Sequence, residues 1–389
     1  MQILIIAPQF PPVIGGIATY SYAVAKSLAA CGEEITVLTV APVVKSSLTT
    51  KQGYHLVSVS WPGPLFGIKF LIGKAIRIVL LFVYAIWLSI SRKIDLIYCT
   101  HYEGATGARI ITKLCGIPYF MTAHGAEITE PGGVTGKLVR FSLDGCCGVV
   151  VLARRQRIDL LKLGVSSDKI HHVTMGVDVN KFHPVSGDNE IIERLELHDK
   201  KVILTVGNLV ERKGHDMVIQ SLPEVLKMVP NVVYLIVGTG ERKQHLKQMV
   251  ADLDLGNQVI FVGRVTDMEL SEYYRACDVF IMPSREVGGN VEGFGIVFLE
   301  ANACSKPVIG GKSGGIGDAV ADGFSGILVD PVSIGEISQG LITLLTDDYL
   351  AKKLGTQGRK RVEERFSDLA MAGKISQLFN DVIKKRKVS

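Results

Sequence analysis

Aromatic residues are scarce in this 389-residue chain, at 7% with only two tryptophans, and charged residues make up 21%. No recognition-helix pattern, zinc-finger spacing or basic-aromatic alternation occurs, which argues against nucleic acid as a partner. The seven cysteines (Cys31, Cys99, Cys115, Cys146, Cys147, Cys277 and Cys304) are odd in number, scattered and mostly embedded in apolar runs. They read as reduced, buried thiols of a cytoplasmic protein, not as a disulfide framework or a zinc site. The opening residues Met1-Gln2-Ile3-Leu4-Ile5-Ile6 lack a basic n-region and read as a buried strand, so no secretory signal is expected. The GxGxxG fingerprint of dinucleotide binding is also missing. One stretch, 70–90, is almost wholly apolar, but Lys74 and Arg77 leave only thirteen residues, Ile78 to Ile90, before Arg92-Lys93. A spanning helix needs about 20. The expectation is a buried helix packed on a sheet. A face touching an anionic membrane surface, assisted by Lys69, Lys74, Arg77, Arg92 and Lys93, is the alternative.

What remains is the composition of a well-packed globular protein, 47% hydrophobic, and too long for one ordinary core. The net charge of +5 is unevenly placed: residues 1–190 carry 18 Lys and Arg against 12 Asp and Glu, whereas the rest carries 25 against 26. A basic first half suggests contact with an anionic partner such as a phosphate or a lipid surface.

Short continuous apolar runs, each followed by a helix-length segment, repeat along the chain. The first half offers MQILIIAP, EEITVLTVAP, YHLVSVSW, DLIYCTH, PYFMTAHG, CCGVVVLA and KIHHVTMG. The second offers KVILTVGN, NVVYLIVGTG, QVIFVGRV, VFIMPSR, PVIGGKSGG and GILVDP. Runs of this kind are parallel strands covered on both faces. Pro184, Ser186, Gly187 and Asp188 mark a linker between the halves. The expected architecture is two doubly wound, Rossmann-like α/β domains, 1–185 and 186–369, facing a central cleft, with a helix over about 370–389 packing back on the first.

Two motifs carry the chemistry. Pro11-Pro12-Val13-Ile14-Gly15-Gly16 follows the first strand and leads into a helix, so the backbone of Gly15 and Gly16 can approach a ligand. The stronger signal is Glu292-Gly-Phe-Gly-Ile-Val-Phe-Leu-Glu300. Two carboxylates frame a Gly-Phe-Gly turn that opens an apolar helix, and the amides of Phe294, Gly295 and Ile296 are placed to form an anion nest. Glu300, two turns inward, is suited to accept hydrogen bonds from vicinal hydroxyls. Asp252-Leu-Asp254 is formally a DxD, a motif that holds a metal when it follows a strand. Here it ends a helix, and no metal is expected.

E-G-F-G-I-V-F-L-E resembles the E-x7-E motif of glycosyltransferase family 4, the large group of retaining enzymes of the GT-B fold. The likeness extends in order through Gly15-Gly16, Thr122-Ala-His124-Gly125, Gly176-Val177-Asp178, Arg212-Lys213-Gly214, V-G-T-G-E at 237–241 and V-G-R-V at 262–265. The wording around Arg285 to Glu292 is most similar to phosphatidylinositol mannosyltransferase-like and polysaccharide-assembling members.

The resemblance implies a metal-independent retaining hexosyltransferase without a resident cofactor. A UDP-sugar such as UDP-glucose is the first expectation for its donor and GDP-mannose the second. The acceptor is expected to be a glycan or a lipid-linked intermediate, met in the cytoplasm or at the inner face of the membrane. By the same resemblance Lys213 binds the donor phosphates and steadies the leaving diphosphate. Glu300 holds the ribose, Glu292 orients the sugar, and Gly16 approaches the diphosphate. Gly263-Arg264 lies beside the base, and His124 lies near the reacting sugar. The leaving phosphate itself takes the acceptor's proton.

Two departures stand out. Asn208 replaces an arginine frequent in the family, removing one of two positive groups usually assigned to the diphosphate, and Arg212 is the neighbour available to compensate. Glu127 replaces a frequent aspartate. The Asn208 substitution keeps an alternative in play, a catalytically weak nucleotide-sugar-binding subunit of a larger assembly.

Overall fold

The computed structural model describes residues 1–389 except 14, 42–52, 61–69, 126–127, 129–131, 186, 188 and 389. Glu127 lies outside the described residues. The chain divides into two compact units, Met1–Gly176 with Asp368–Ser389, and Val177–Ser367.

In the first unit the order is β1 (Gln2–Ile6), α1 (Gly16–Ala30), β2 (Glu34–Ala41), β3 (Tyr54–Ser60), α2 (Phe70–Ser91), β4 (Leu96–Cys99), α3 (Tyr102–Cys115), β5 (Tyr119–Ala123), α4 (Gly133–Gly145), β6 (Gly148–Val151), α5 (Arg154–Lys162) and β7 (Ile170–His172). Among the described residues these strands form one parallel sheet in the order β3-β2-β1-β4-β5-β6-β7. Every apolar run singled out in the first half is one of its strands. Strands buried on both faces explain the unbroken hydrophobicity, since Ile3, Leu4, Ile5 and Ile6 are all sealed from water.

The second unit runs α6 (Glu190–Arg194), β8 (Lys201–Val206), α7 (His215–Met228), β9 (Val232–Val237), α8 (Lys243–Asp252), β10 (Val259–Gly263), α9 (Asp267–Ala276), β11 (Val279–Met282), α10 (Ile296–Ala303), β12 (Val308–Gly311), α11 (Ile316–Ala319), β13 (Gly326–Val329), α12 (Ile334–Thr346) and α13 (Asp348–Arg361). Its parallel sheet is ordered β10-β9-β8-β11-β12-β13. Strand order therefore reverses between β8 and β11, the switch point at which doubly wound sheets open a crevice beyond their carboxyl ends.

The final helix, α14 (Asp368–Val388), belongs to the first unit. Phe379 is fully buried there, 5.2 Å from the ring of Tyr98 and 5.0 Å from that of Phe120. Residue 186, the expected boundary, is outside the described residues. The division falls earlier, after Gly176, because the stretch that follows is hydrogen-bonded into the second unit. Val177 N–H donates to Phe366 O at 2.8 Å, Arg359 to Phe182 O at 2.6 Å, and Arg275 to His183 O at 3.0 Å.

Two expectations need correcting. Segment 70–90 is a helix on the sheet, but only one side is buried, through Leu81, Ala85 and Leu88; Val79, Val83, Trp87 and Ile90 stand in solvent. Of the cysteines, all free, Cys31 and Cys115 are exposed, because each sits at a helix carboxyl end rather than within an apolar run. Among the described residues no helix is long and apolar enough to cross a membrane.

Candidate active site

Lys213 owes its position to a tight turn after β8. Glu211–Lys213 make one 3-10 turn, and Gly214 follows at φ 76°. A side chain at Gly214 would put its Cβ 2.3 Å from Pro283 O, so only glycine lets this turn lie against the end of β11. Arg285 locks the approach from the other side. Its N–H donates to Arg212 O at 2.8 Å, and its guanidinium grips Asp216 with two bonds of 3.0 and 2.6 Å.

The loop after β11 brings Glu292 to the same place. Lys213 Nζ lies 2.5 Å and Arg212 Nη1 2.7 Å from a single oxygen, Oε2 of Glu292. Three charged side chains thus meet at the switch point, largely shielded from water: Lys213 and Glu292 are 11% and 13% exposed, Arg212 29%. Burial pushes the Glu292 carboxyl up, but the charges of Lys213 and Arg212 outweigh it and hold the group below the ordinary carboxylate range. The cluster carries one net positive charge in a partly desolvated pocket. The Glu292 carbonyl is held in turn by Gly315 N–H at 2.9 Å.

Beyond Glu292 the Gly-Phe-Gly turn buries Phe294, whose ring lies 6.1 Å from that of Phe366. Gly295, at φ 83°, caps α10 without a side-chain hydrogen bond, its carbonyl accepting from Phe298 N–H at 3.1 Å. Ile296 begins the helix. Glu300, one turn further in, accepts a 2.7 Å hydrogen bond from the hydroxyl of Tyr274. That tyrosine is fully buried, and burial together with the Glu300 charge raises its pKa well above the usual value, so it stays a donor.

The second unit therefore gathers Arg212, Lys213, Glu292, Phe294, Gly295, Ile296 and Glu300 on adjoining elements. Asn208 is exposed on the loop after β8. Gly263 (φ 85°) ends β10 and the exposed Arg264 follows it, with Gly263 O accepting from Gly238 N–H at 2.8 Å. Asp252 and Asp254 are solvent-exposed at the carboxyl end of α8, apart from both loops. Among the described residues no group of three or more His, Cys, Asp or Glu is arranged to hold a metal.

In the first unit Gly15 caps α1, Gly16 begins it, and the described surroundings leave open space where a Cβ on Gly16 would lie. His124 follows β5. Its Nε2 is 2.7 Å from Thr100 O, a carbonyl that can only accept, so this nitrogen carries the proton. The Tyr20 ring packs edge-on at 5.4 Å, and Gln156 donates to the His124 carbonyl at 2.8 Å. The imidazole is thus fixed in tautomer and direction at the carboxyl end of its sheet.

The motif reading missed the positioning residues Arg285, Asp216 and Tyr274. It also passed over His215, which is buried with neither ring nitrogen hydrogen-bonded among the described residues. Burial first, and then the Lys213 charge, lower its pKa to about 4.

Two family models match the chain, Glycosyltransferase Family 4 over residues 14–181 and Glycosyl transferases group 1 over residues 188–361. The chain belongs to this family of glycosyltransferases. Among curated relatives is a GDP-mannose-dependent alpha-(1-6)-phosphatidylinositol monomannoside mannosyltransferase of Mycolicibacterium smegmatis, 38% identical over 196 residues. That match covers 50% of this chain and 51% of the relative, so the chain spans about half the length of this protein. A relative of the same description from Mycobacterium tuberculosis is 27% identical over 391 residues, 96% of this chain and 97% of that one. Solved structures share the GT-B fold. Sucrose-phosphate synthase from Thermosynechococcus elongatus has a TM-score of 0.82 at 22% identity, covering 99% of this chain and 100% of that one. An Anabaena protein, HepE, in complex with UDP and glucose has a TM-score of 0.78 at 20% identity, covering 98% and 99%.

Proposed function

We propose that this glycosyltransferase is a metal-independent, retaining mannosyltransferase that takes mannose from GDP-mannose and delivers it to a lipid-linked or glycan hydroxyl at the cytoplasmic face of a membrane. The observation that carries the reading is the convergence of Lys213 and Arg212 on Glu292. Two cations locked into one small volume match the two phosphates of a nucleoside diphosphate and supply the countercharge a metal would otherwise bring. Arg212 stands in for the positive group that Asn208 lacks.

In this reading the diphosphate takes both cations, while Glu292, released in part from them, turns to hydroxyls of the sugar. Glu300, steadied by Tyr274, receives the ribose hydroxyls. The C1–O bond to the diphosphate breaks and a C1–O bond to the acceptor forms on the same face. The acceptor's proton passes to the departing phosphate oxygen, so no side chain acts as general base. UDP-glucose, the first expectation from sequence, gives way to GDP-mannose on the names of the relatives. The UDP-bound HepE, at 20% identity, speaks for the fold alone.

The test is a thermal-shift panel of GDP, UDP and ADP and their hexose conjugates in EDTA, followed by turnover of the stabilising donor. Stabilisation by GDP and GDP-mannose with transfer in EDTA bears the reading out. Stabilisation only with Mn²⁺ sinks the metal-independent site, and binding without turnover makes the chain a nucleotide-sugar-binding subunit instead.

A further inference from the structure

We propose that the second unit carries an anion site separate from the donor residues, built by the end of α13 and the turn before β13, for a small organic phosphate. The site is a cavity of about 440 Å³ lined by Ala321, Phe324, Lys360, Arg361, Glu364 and Arg365. That volume is within the range of small-molecule pockets. None of its lining residues belongs to the group formed by Arg212, Lys213, Glu292 and Glu300.

Two segments make the walls. α13 ends at Arg361 and passes directly into one π turn, Val362–Phe366, a wider coil that keeps Lys360, Arg361, Glu364 and Arg365 on the cavity. Ala321 and Phe324 come from the turn between α11 and β13. That turn is fixed from within: Ala321 O accepts from Phe324 N–H at 3.0 Å and from Ser325 N–H at 2.9 Å, and Ser325 Oγ accepts from Ala321 N–H at 3.0 Å. Arg361 ties the two walls together. Its guanidinium donates to Asp318 O at 2.9 Å and to Ala319 O, and lies 4.5 Å over the Phe366 ring. The cavity is therefore shaped before a ligand arrives.

The charges define the ligand. Lys360 and Glu364 face each other at 3.9 Å on the rim and offset one another. Arg361 directs its hydrogens to neutral carbonyls, and among the described residues no hydrogen bond or ion pair engages the Arg365 guanidinium. Burial first, and then the Arg365 charge, bring the Arg361 pKa down to about 10 against an upward pull from Asp318. Holding two guanidinium groups together in a half-closed cavity costs electrostatic energy, which a doubly charged anion relieves. A phosphomonoester approaches that charge near neutral pH, and its oxygens fit guanidinium forks. Free phosphate would leave the opposite wall bare. Phe324 is 44% exposed there, a flat apolar face for the carbon-bearing body of the ligand.

Isothermal titration calorimetry of the full-length protein with glucose 6-phosphate tests the site. Binding should weaken with salt, be tighter than that of inorganic phosphate, and be absent with glucose. Arg365→Ala, checked for an unchanged melting temperature, should lose about tenfold or more in affinity, the effect of one charge-assisted hydrogen bond. Phe324→Ala should bring glucose 6-phosphate down to the level of inorganic phosphate. Arg212→Ala, which alters only the donor pocket, should bind glucose 6-phosphate as the native protein does, and saturating GDP should not displace it. These two controls separate failure of this site from failure of the donor reading. No binding, equal affinity for inorganic phosphate, or affinity unchanged in both Arg365→Ala and Phe324→Ala would each overturn the proposal. Loss of binding in Arg212→Ala, or displacement by GDP, would overturn it too and return the phosphate to the donor pocket.

Discussion

Replacing Glu292 with glutamine removes one charge from the cluster at almost constant shape. Breaking a buried ion pair on one side costs about 3–5 kcal/mol when both partners are fully sealed. Here the side chains retain 11–29% exposure, and solvent screening brings the cost to about 2 kcal/mol. In a unit of this size that lowers the melting temperature by about 4–8 °C. Lys213 and Arg212 are then left facing each other without a countercharge. A nucleoside diphosphate supplies two phosphates to the same spot and no longer has to draw the cations away from a carboxylate. Differential scanning fluorimetry in EDTA should therefore show Glu292→Gln melting lower than the native protein. Added nucleoside diphosphate should raise its melting temperature by a larger increment than it gives the native protein. Turnover should fall, since the amide cannot accept strong hydrogen bonds from sugar hydroxyls. An increment no larger than the native one would show that the phosphates do not use these cations, and the site as argued would be wrong.

His215 makes stability depend on pH. Its folded pKa, about 4, lies below the ordinary 6.5, so the unfolded chain binds the proton first. The stabilisation is whole above 6.5 and drains away as pH falls toward 4, by at most about 3 kcal/mol. Denaturant titrations of the native protein and His215→Phe should show a steeper loss over that window in the native protein; parallel losses would remove His215 from the account. Gly214→Ala should cost more than Gly263→Ala, although both glycines have positive φ. The added Cβ meets Pro283 O at 2.3 Å in the first case and open space in the second. The second substitution should cost only about 1 kcal/mol, whereas the first should also displace Lys213 and abolish the nucleotide-induced shift. Equal melting temperatures for the two variants would refute the close approach.

Sequence pattern by itself determined the strands, because a strand sealed on both faces must be apolar throughout, and each such run became one. It also placed Glu292 and Glu300 eight residues apart across a helix start. Local chemistry sufficed there, since Gly-Phe-Gly followed by an apolar helix has few alternative conformations. Spacing could not tell whether Arg212 and Lys213, neighbours in a turn, aim at one target. That is settled by the clamp of Arg285 on Asp216 and on the Arg212 carbonyl, made by residues 69 and 73 positions apart in the chain. Nor could composition show that the stretch after Gly176 joins the second unit, since its anchors, Arg275, Arg359 and Phe366, come much later. The helix 70–91 shows the same division. Its hydrophobicity is written in the residues, but which half the sheet covers depends on the rotation at which Leu81, Ala85 and Leu88 meet the core. Only tertiary packing selects that rotation, and it leaves Trp87 on the outside.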